Sequence, residues 1–199
     1  MSEAFIDRSR MESLVDGIFA VCMTVLVLTI DFPKGLDIKD DIVILEAIEH
    51  LIPQMIIYFV AFALIGIFWC IYHSRFRHIK KLDNTFIWIN LFWLMFIGLM
   101  PFSTSLSGDY PKFHTAVLVF HLNFLILSFL LFLLWAYASK KNLIDESLEK
   151  KTVILNRNII LTMVMVCLSA LIISFFSPLI SNLSYFLIFP GIFLVKRYY

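Results

Sequence analysis

The chain has 199 residues, 61% of them hydrophobic and only 16% charged, with a mean hydropathy of +0.90. A soluble domain carries about 45–50% and about 25% respectively, so a water-soluble fold is excluded and an all-α integral membrane protein is expected. The 16 basic and 15 acidic residues leave a net charge of +1, which offers no basic surface for nucleic acid.

The 21 phenylalanines fit lipid-facing helices better than barrel strands, which would alternate polar and apolar residues. Cys22, Cys70 and Cys167 sit inside apolar runs without a CxxC spacing and read as free thiols, with neither a disulfide nor a metal site.

A hydrocarbon core of about 30 Å needs about 20 apolar residues per helix. Counted in chain order, the uncharged runs predict spans over 13–31, 51–72, 85–107 and 113–139. The run from Asn158 to Val195 corresponds to about 57 Å of helix, too long for one crossing. Ser177-Pro178 and Ser181-Asn182 supply a break, giving spans over 158–176 and 179–195. Residues 1–199 thus read as a single six-helix unit.

Lys and Arg choose the orientation. The N-terminus, the 2–3 and 4–5 connections and the C-terminus hold 13 of the 16; the other face has only Lys34, Lys39 and Lys112. Both termini are therefore expected in the cytoplasm. The first external loop, with Asp31, Asp37, Asp40, Asp41, Glu46 and Glu49, is an acidic vestibule candidate or an ordinary solvated loop. The first span follows an acidic flank and precedes no A-x-A site, so it reads as a mature helix and not as a signal peptide.

The middle of every span is free of Asp, Glu, Lys and Arg, the residues that mark proton relays and coupling sites in pumps. No Gly-rich phosphate loop, HExxH or placeable Ser-His-Asp set is present, and an enzyme is not expected. His121 and Asn123 read first as polar glue between helices. No TVGYG-like filter loop exists, so ion selectivity would have to come from side chains.

The first span is the most informative. At 100° per residue, Gly17, Val21, Thr24, Leu28 and Asp31 share one stripe, either a packing face or a pore wall. Arg10-Met-Glu-Ser-Leu14-Val15-Asp16-Gly17 resembles the R-x-x-x-F-S-D-G/A signature of the transmembrane protein 175 family, the lysosomal potassium channel and its prokaryotic homologues; Leu14-Val15 stand where the family has Phe-Ser. Phe68-Trp69 and His73, Asn90-Leu91 and Pro101-Phe102 look similar as well.

The resemblance implies a six-helix subunit assembling as a homotetramer around a central pore lined by the first helix. Carried onto this chain, the pore-lining and gating positions are Val21, Thr24 and Leu28. A structural polar clamp at the cytoplasmic end would involve Arg10, Asp16, Trp69, His73 and Asn90. The expected function is a potassium-permeable cation channel in a prokaryotic plasma membrane, with monovalent cations and the bilayer as partners and no cofactor. The alternatives are a secondary transporter or proton-leak pathway, with His121 or His73 titrating, and a non-conducting accessory protein.

Overall fold

The computed structural model describes residues 6–199, and among them the secondary structure is helical, without a strand. The elements are α1 (Arg8–Val25), α2 (Asp41–Phe76), α3 (Asn84–Gly98), α4 (Met100–Asp109), α5 (His114–Lys140), α6 (Lys150–Ser174), α7 (Pro178–Leu183) and α8 (Ile188–Tyr198). Among the described residues five helical runs are long and apolar enough to cross a membrane: Arg8–Thr29, Asp41–Phe76, Asn84–Asp109, His114–Lys140 and Lys150–Ser174.

Helix ends lie beyond the apolar runs because caps, not hydropathy, set them. The Asp7 carboxylate accepts the Arg10 backbone N–H at 2.8 Å and starts α1 before its apolar run begins. Asp40 accepts the N–H groups of Ile42 and Val43, so α2 begins at Asp41 and continues for 36 residues. At 1.5 Å per residue that is about 54 Å, well beyond a hydrocarbon core, and its first turns carry Glu46 and Glu49 outside the expected span.

α1 tightens into a 3-10 turn over Leu26–Thr29, and the chain turns extended at Ile30. Pro33 follows closely; it disfavours helix at the residue before it.

The third expected span is one run with a break at Leu99. Pro101 has no N–H to give the Ile97 carbonyl. The Cys22 thiol of α1 donates to that carbonyl at 3.2 Å. From the other side, the Asn123 amide of α5 reaches the Phe96 carbonyl, the Met100 sulfur and the Ser103 hydroxyl. A proline break in lipid has to have its freed backbone groups satisfied by neighbours, and here two helices do it.

The expected 179–195 span is occupied by α7, a 3-10 segment Ser184–Leu187, and α8. Its first part is fastened to α5: His121 is fully buried, with Nδ1 2.8 Å from the Tyr185 hydroxyl and Nε2 2.8 Å from the Ser181 hydroxyl. Ser181 spends its own proton on the Pro178 carbonyl. It therefore accepts from Nε2–H, and Tyr185 donates to Nδ1.

The core runs along the bundle through Phe19, Ile65, Phe68, Trp93, Phe124, Leu127 and Met163, all at most 1% exposed. At the end of the bundle that carries the basic connections, the α2–α3 and α5–α6 connections pair through an isolated antiparallel bridge, Ile79 with Ile144. Lys80 Nζ lies 3.2 Å from Asp145.

The Ser147 hydroxyl and amide, and then Lys80, hold the Asp145 carboxyl down at about 2, below its ordinary 3.8. A depressed carboxyl stabilises above its unfolded value and loses that contribution as pH falls through its folded one. The pairing of the two connections is therefore expected to be unaffected from neutrality to about pH 4 and to loosen between that and pH 2. Asp145→Asn should remove the step, read as amide hydrogen exchange at Lys80 and Lys81, whose N–H groups bond the Leu143 carbonyl. An unchanged acid profile in the variant counts against the assignment.

Candidate functional site: the bare face of the first helix

α1 has two apolar faces. Met11, Val15, Phe19, Cys22 and Leu26 are at most 4% exposed and pack inward, with Phe19 5.5 Å from Trp93 of α3. The opposite face is open: Val21 is 62% exposed and Leu28 74%, with Gly17, Thr24 and Val25 also exposed. Beside it lies a groove of about 450 Å³, lined by Ser13, Gly17, Val21 and Val25 of α1 and by Gly98 and Pro101 at the α3–α4 break.

Thr24 lies between the two aliphatic positions. Its hydroxyl donates to the carbonyls of Ala20 at 3.0 Å and Val21 at 2.8 Å. The proton is committed to the backbone, so toward the open side the oxygen can act only as an acceptor. That is the chemistry a bare cation needs. The 3-10 turn advances about 120° per residue in place of 100°, which swings Leu28 toward the azimuth of Val25 and away from that of Thr24.

At the opposite end of α1 the expected polar residues only partly converge. The Trp69 indole N–H donates to Asp16 Oδ1 at 2.8 Å. His73 stacks on Trp69 at 5.5 Å and faces Glu12, with Nδ1 3.6 Å from its carboxylate. Asn90 is fully buried and donates to the Tyr72 hydroxyl, whose ring stacks on Trp93 at 4.9 Å; it braces α2 against α3 next to the clamp instead of joining it. Arg10 stands apart: its side chain is 82% exposed and, among the described residues, its only ionic neighbour is Asp7 at 3.9 Å. An arginine this exposed has water to solvate it and needs no partner from α2.

Glu12 and Tyr72 were not on the expected list. The signal for Glu12 was present, because α1 and α2 run antiparallel and each step of four up α1 meets a step of four down α2. Asp16 faces Trp69, Glu12 faces His73, and the Arg8 guanidinium reaches the Arg77 carbonyl at 3.5 Å in the same register. Among the described residues no group of three or more His, Cys, Asp or Glu could hold a metal ion.

The family model described as "Endosomal/lysosomal potassium channel TMEM175" matches residues 10–101, which include most of α1, the clamp and the α3–α4 break. Over these residues the chain is similar to the TMEM175 family. The family is one of ion channels, not enzymes.

The chain is 29% identical over 101 residues to a potassium channel of Chryseobacterium sp. (strain P1-3), covering 51% of this chain and 49% of that one. It is 30% identical over 112 residues to the endosomal/lysosomal proton channel TMEM175 of Danio rerio, covering 54% and 22%. The chain thus spans about half or less of the length of these relatives. Its fold is that of a crystallised lysosomal potassium-selective channel TMEM175 homolog from Chamaesiphon minutus: the TM-score is 0.82 at 24% identity, over 94% of this chain and 97% of the other.

Proposed function

We propose that four copies of this chain form a potassium-permeable cation channel whose wall is the open face of α1. The observation that carries the reading is the combination of Val21, Thr24 and Leu28 on one bare helix face with the TMEM175-family match over the same segment. One copy cannot enclose a pore. A second apolar face on a helix already packed on its first implies that something covers it, and copies arranged about an axis would do so. Rings of aliphatic side chains close a narrow pore by dewetting, and the Thr24 oxygens replace part of an ion's hydration shell between them. Dehydrating sodium costs more than dehydrating potassium, so a weakly coordinating constriction favours potassium modestly.

In this reading the chain crosses the membrane six times, the sixth crossing being the broken run from Pro178 to Tyr198. Both termini are cytoplasmic, following the basic split, and the membrane is a prokaryotic plasma membrane. Potassium is cargo, and no resident cofactor is called for.

Proton passage is the second reading, favoured by the name of the Danio rerio relative. His121 is a poor carrier for it, since both ring nitrogens are engaged in a fully buried network.

Purified protein in liposomes, under a potassium gradient with a protonophore present, should collapse the gradient faster than empty liposomes and faster than under a matched sodium gradient. Equal potassium and sodium rates would defeat the selectivity claim. Under a pH gradient with the protonophore left out, proton movement faster than in empty liposomes, together with no potassium movement in the first assay, would replace the first reading with the second.

A further inference from the structure

The register that joins Trp69 to Asp16 continues to the far end of the helix pair. Fifteen residues up from Asp16 is Asp31, and fifteen down from Trp69 is Gln54. The Asp31 backbone N–H donates to Gln54 Oε1 at 3.2 Å. Gln54 then gives its Nε2–H to Asp109 Oδ1 at 2.7 Å, and Ser105 donates to the other oxygen of that carboxylate at 3.0 Å.

The backbone makes room for this bracket. A Cβ on Gly108 would sit 3.2 Å from the Gln54 Cα, so α4 approaches α2 at Gln54 more closely than most side chains permit.

We propose that Gln54 is a positioning residue that fixes the outer end of the first helix. It holds the backbone where the 3-10 turn has just ended, and it ties that point to α2 and α4 together. An amide does both tasks at neutral pH without carrying charge: it accepts from a backbone N–H on one side and donates to a carboxylate on the other. Leu28 and the turn that carries it lie directly before the held residue. The consequence for conduction rests on the pore reading above, and the position of the helix end does not.

A carboxylic acid in its neutral form can mimic the amide, whereas a carboxylate cannot. Gln54→Glu therefore converts the bracket into one that needs a proton. The charged groups around it are Asp109 on α4, Asp31 with Lys34 beside it at 3.9 Å, Lys112 in the α4–α5 connection, and Glu49 and His50 on the preceding turn of α2. The nearest is the Asp109 carboxylate, a like charge that keeps a proton on the introduced acid.

The test is hydrogen exchange of the segment Ile30–Phe32 in wild-type, Gln54→Glu and Gln54→Leu protein, each at pH 7.5 and pH 5, with potassium flux measured in parallel. Rates are to be corrected for the intrinsic pH dependence of exchange. Both variants should exchange faster than wild type at pH 7.5, by about fivefold if one ordinary hydrogen bond is lost. Only Gln54→Glu should return toward the wild-type rate at pH 5, and its flux should return with it. Exchange unchanged in both variants, or an equal pH response in Gln54→Leu, overturns the proposal whatever the flux does. Wild-type protein that passes no potassium overturns the channel reading instead, and the exchange result then still reports on the bracket.

Discussion

Trp69→Phe is expected to lower stability by about 1–2 kcal/mol, around the low end of the range for a hydrogen bond to a charged group, since the site is partly exposed. Among the described residues the indole N–H is the only side-chain donor to Asp16, at 2.8 Å, and Trp69 itself is 37% exposed. Phenylalanine keeps most of the ring area against His73 and removes the donor alone. Part of the loss will still come from the smaller ring, so the pair must be isolated by a cycle.

The coupling between Trp69→Phe and Asp16→Ala should be about 1 kcal/mol, read as shifts in the thermal unfolding of purified protein. Arg10→Ala, at an exposed position, should fall within about 0.5 kcal/mol of wild type. A coupling of zero would leave the Trp69–Asp16 contact as geometry without energy. A large Arg10 effect would show that its partner lies on a neighbouring copy.

The amount of this that could be read from residues alone differs from end to end of the chain. The all-helical class and the approximate place of each apolar run follow from hydropathy, because lipid forces every backbone group to be satisfied within a helix. Helix limits do not follow. Charged residues end an apolar run but extend a helix readily, so α2 continues to Asp41 and α6 begins at Lys150. The open face at Val21 and Thr24 was readable because spacing at 100° per residue needs no knowledge of the partner helix; the offset of Leu28 by the 3-10 turn was not.

The clamp was readable by residue type and not by membership. Asp16 and Trp69 meet, but which of Arg10, Glu12 and Asn90 joins them depends on the register between α1 and α2, and one helix alone does not reveal that. The role of Cys22 was hidden for a similar reason. A buried thiol looks like any small hydrophobe until Pro101, on another helix, leaves the Ile97 carbonyl without its donor.

Val21→Asn should raise potassium flux by about tenfold or more, since lowering a barrier by about 1.4 kcal/mol gives a factor of ten. Within the chain Val21 gives up little. It is 62% exposed and borders the groove beside Gly98 and Pro101, while the buried contacts of that turn belong to Phe19 and Cys22. The folded chain should therefore tolerate the amide, and the thermal stability of the purified protein should change by no more than about 0.5 kcal/mol, as for a surface substitution.

The two outcomes that compete are opposite in sign. A residue packed between helices loses folding stability when made polar; a residue facing a dewetted pore gains water and opens it. Selectivity for potassium over sodium should fall along with the rise in flux, because a wetted ring no longer strips the ion.

Leu28→Asn locates the narrowest point. Leu28 is larger than Val21 and more exposed, at 74%, and it lies on the 3-10 turn that Gln54 holds from behind. If its ring is the tighter one, Leu28→Asn gives the larger rise and Val21→Asn the smaller. A well-folded Val21→Asn protein with wild-type flux and selectivity removes Val21 from the gate. The same result at Leu28 as well removes the open face of α1 from the conduction path altogether.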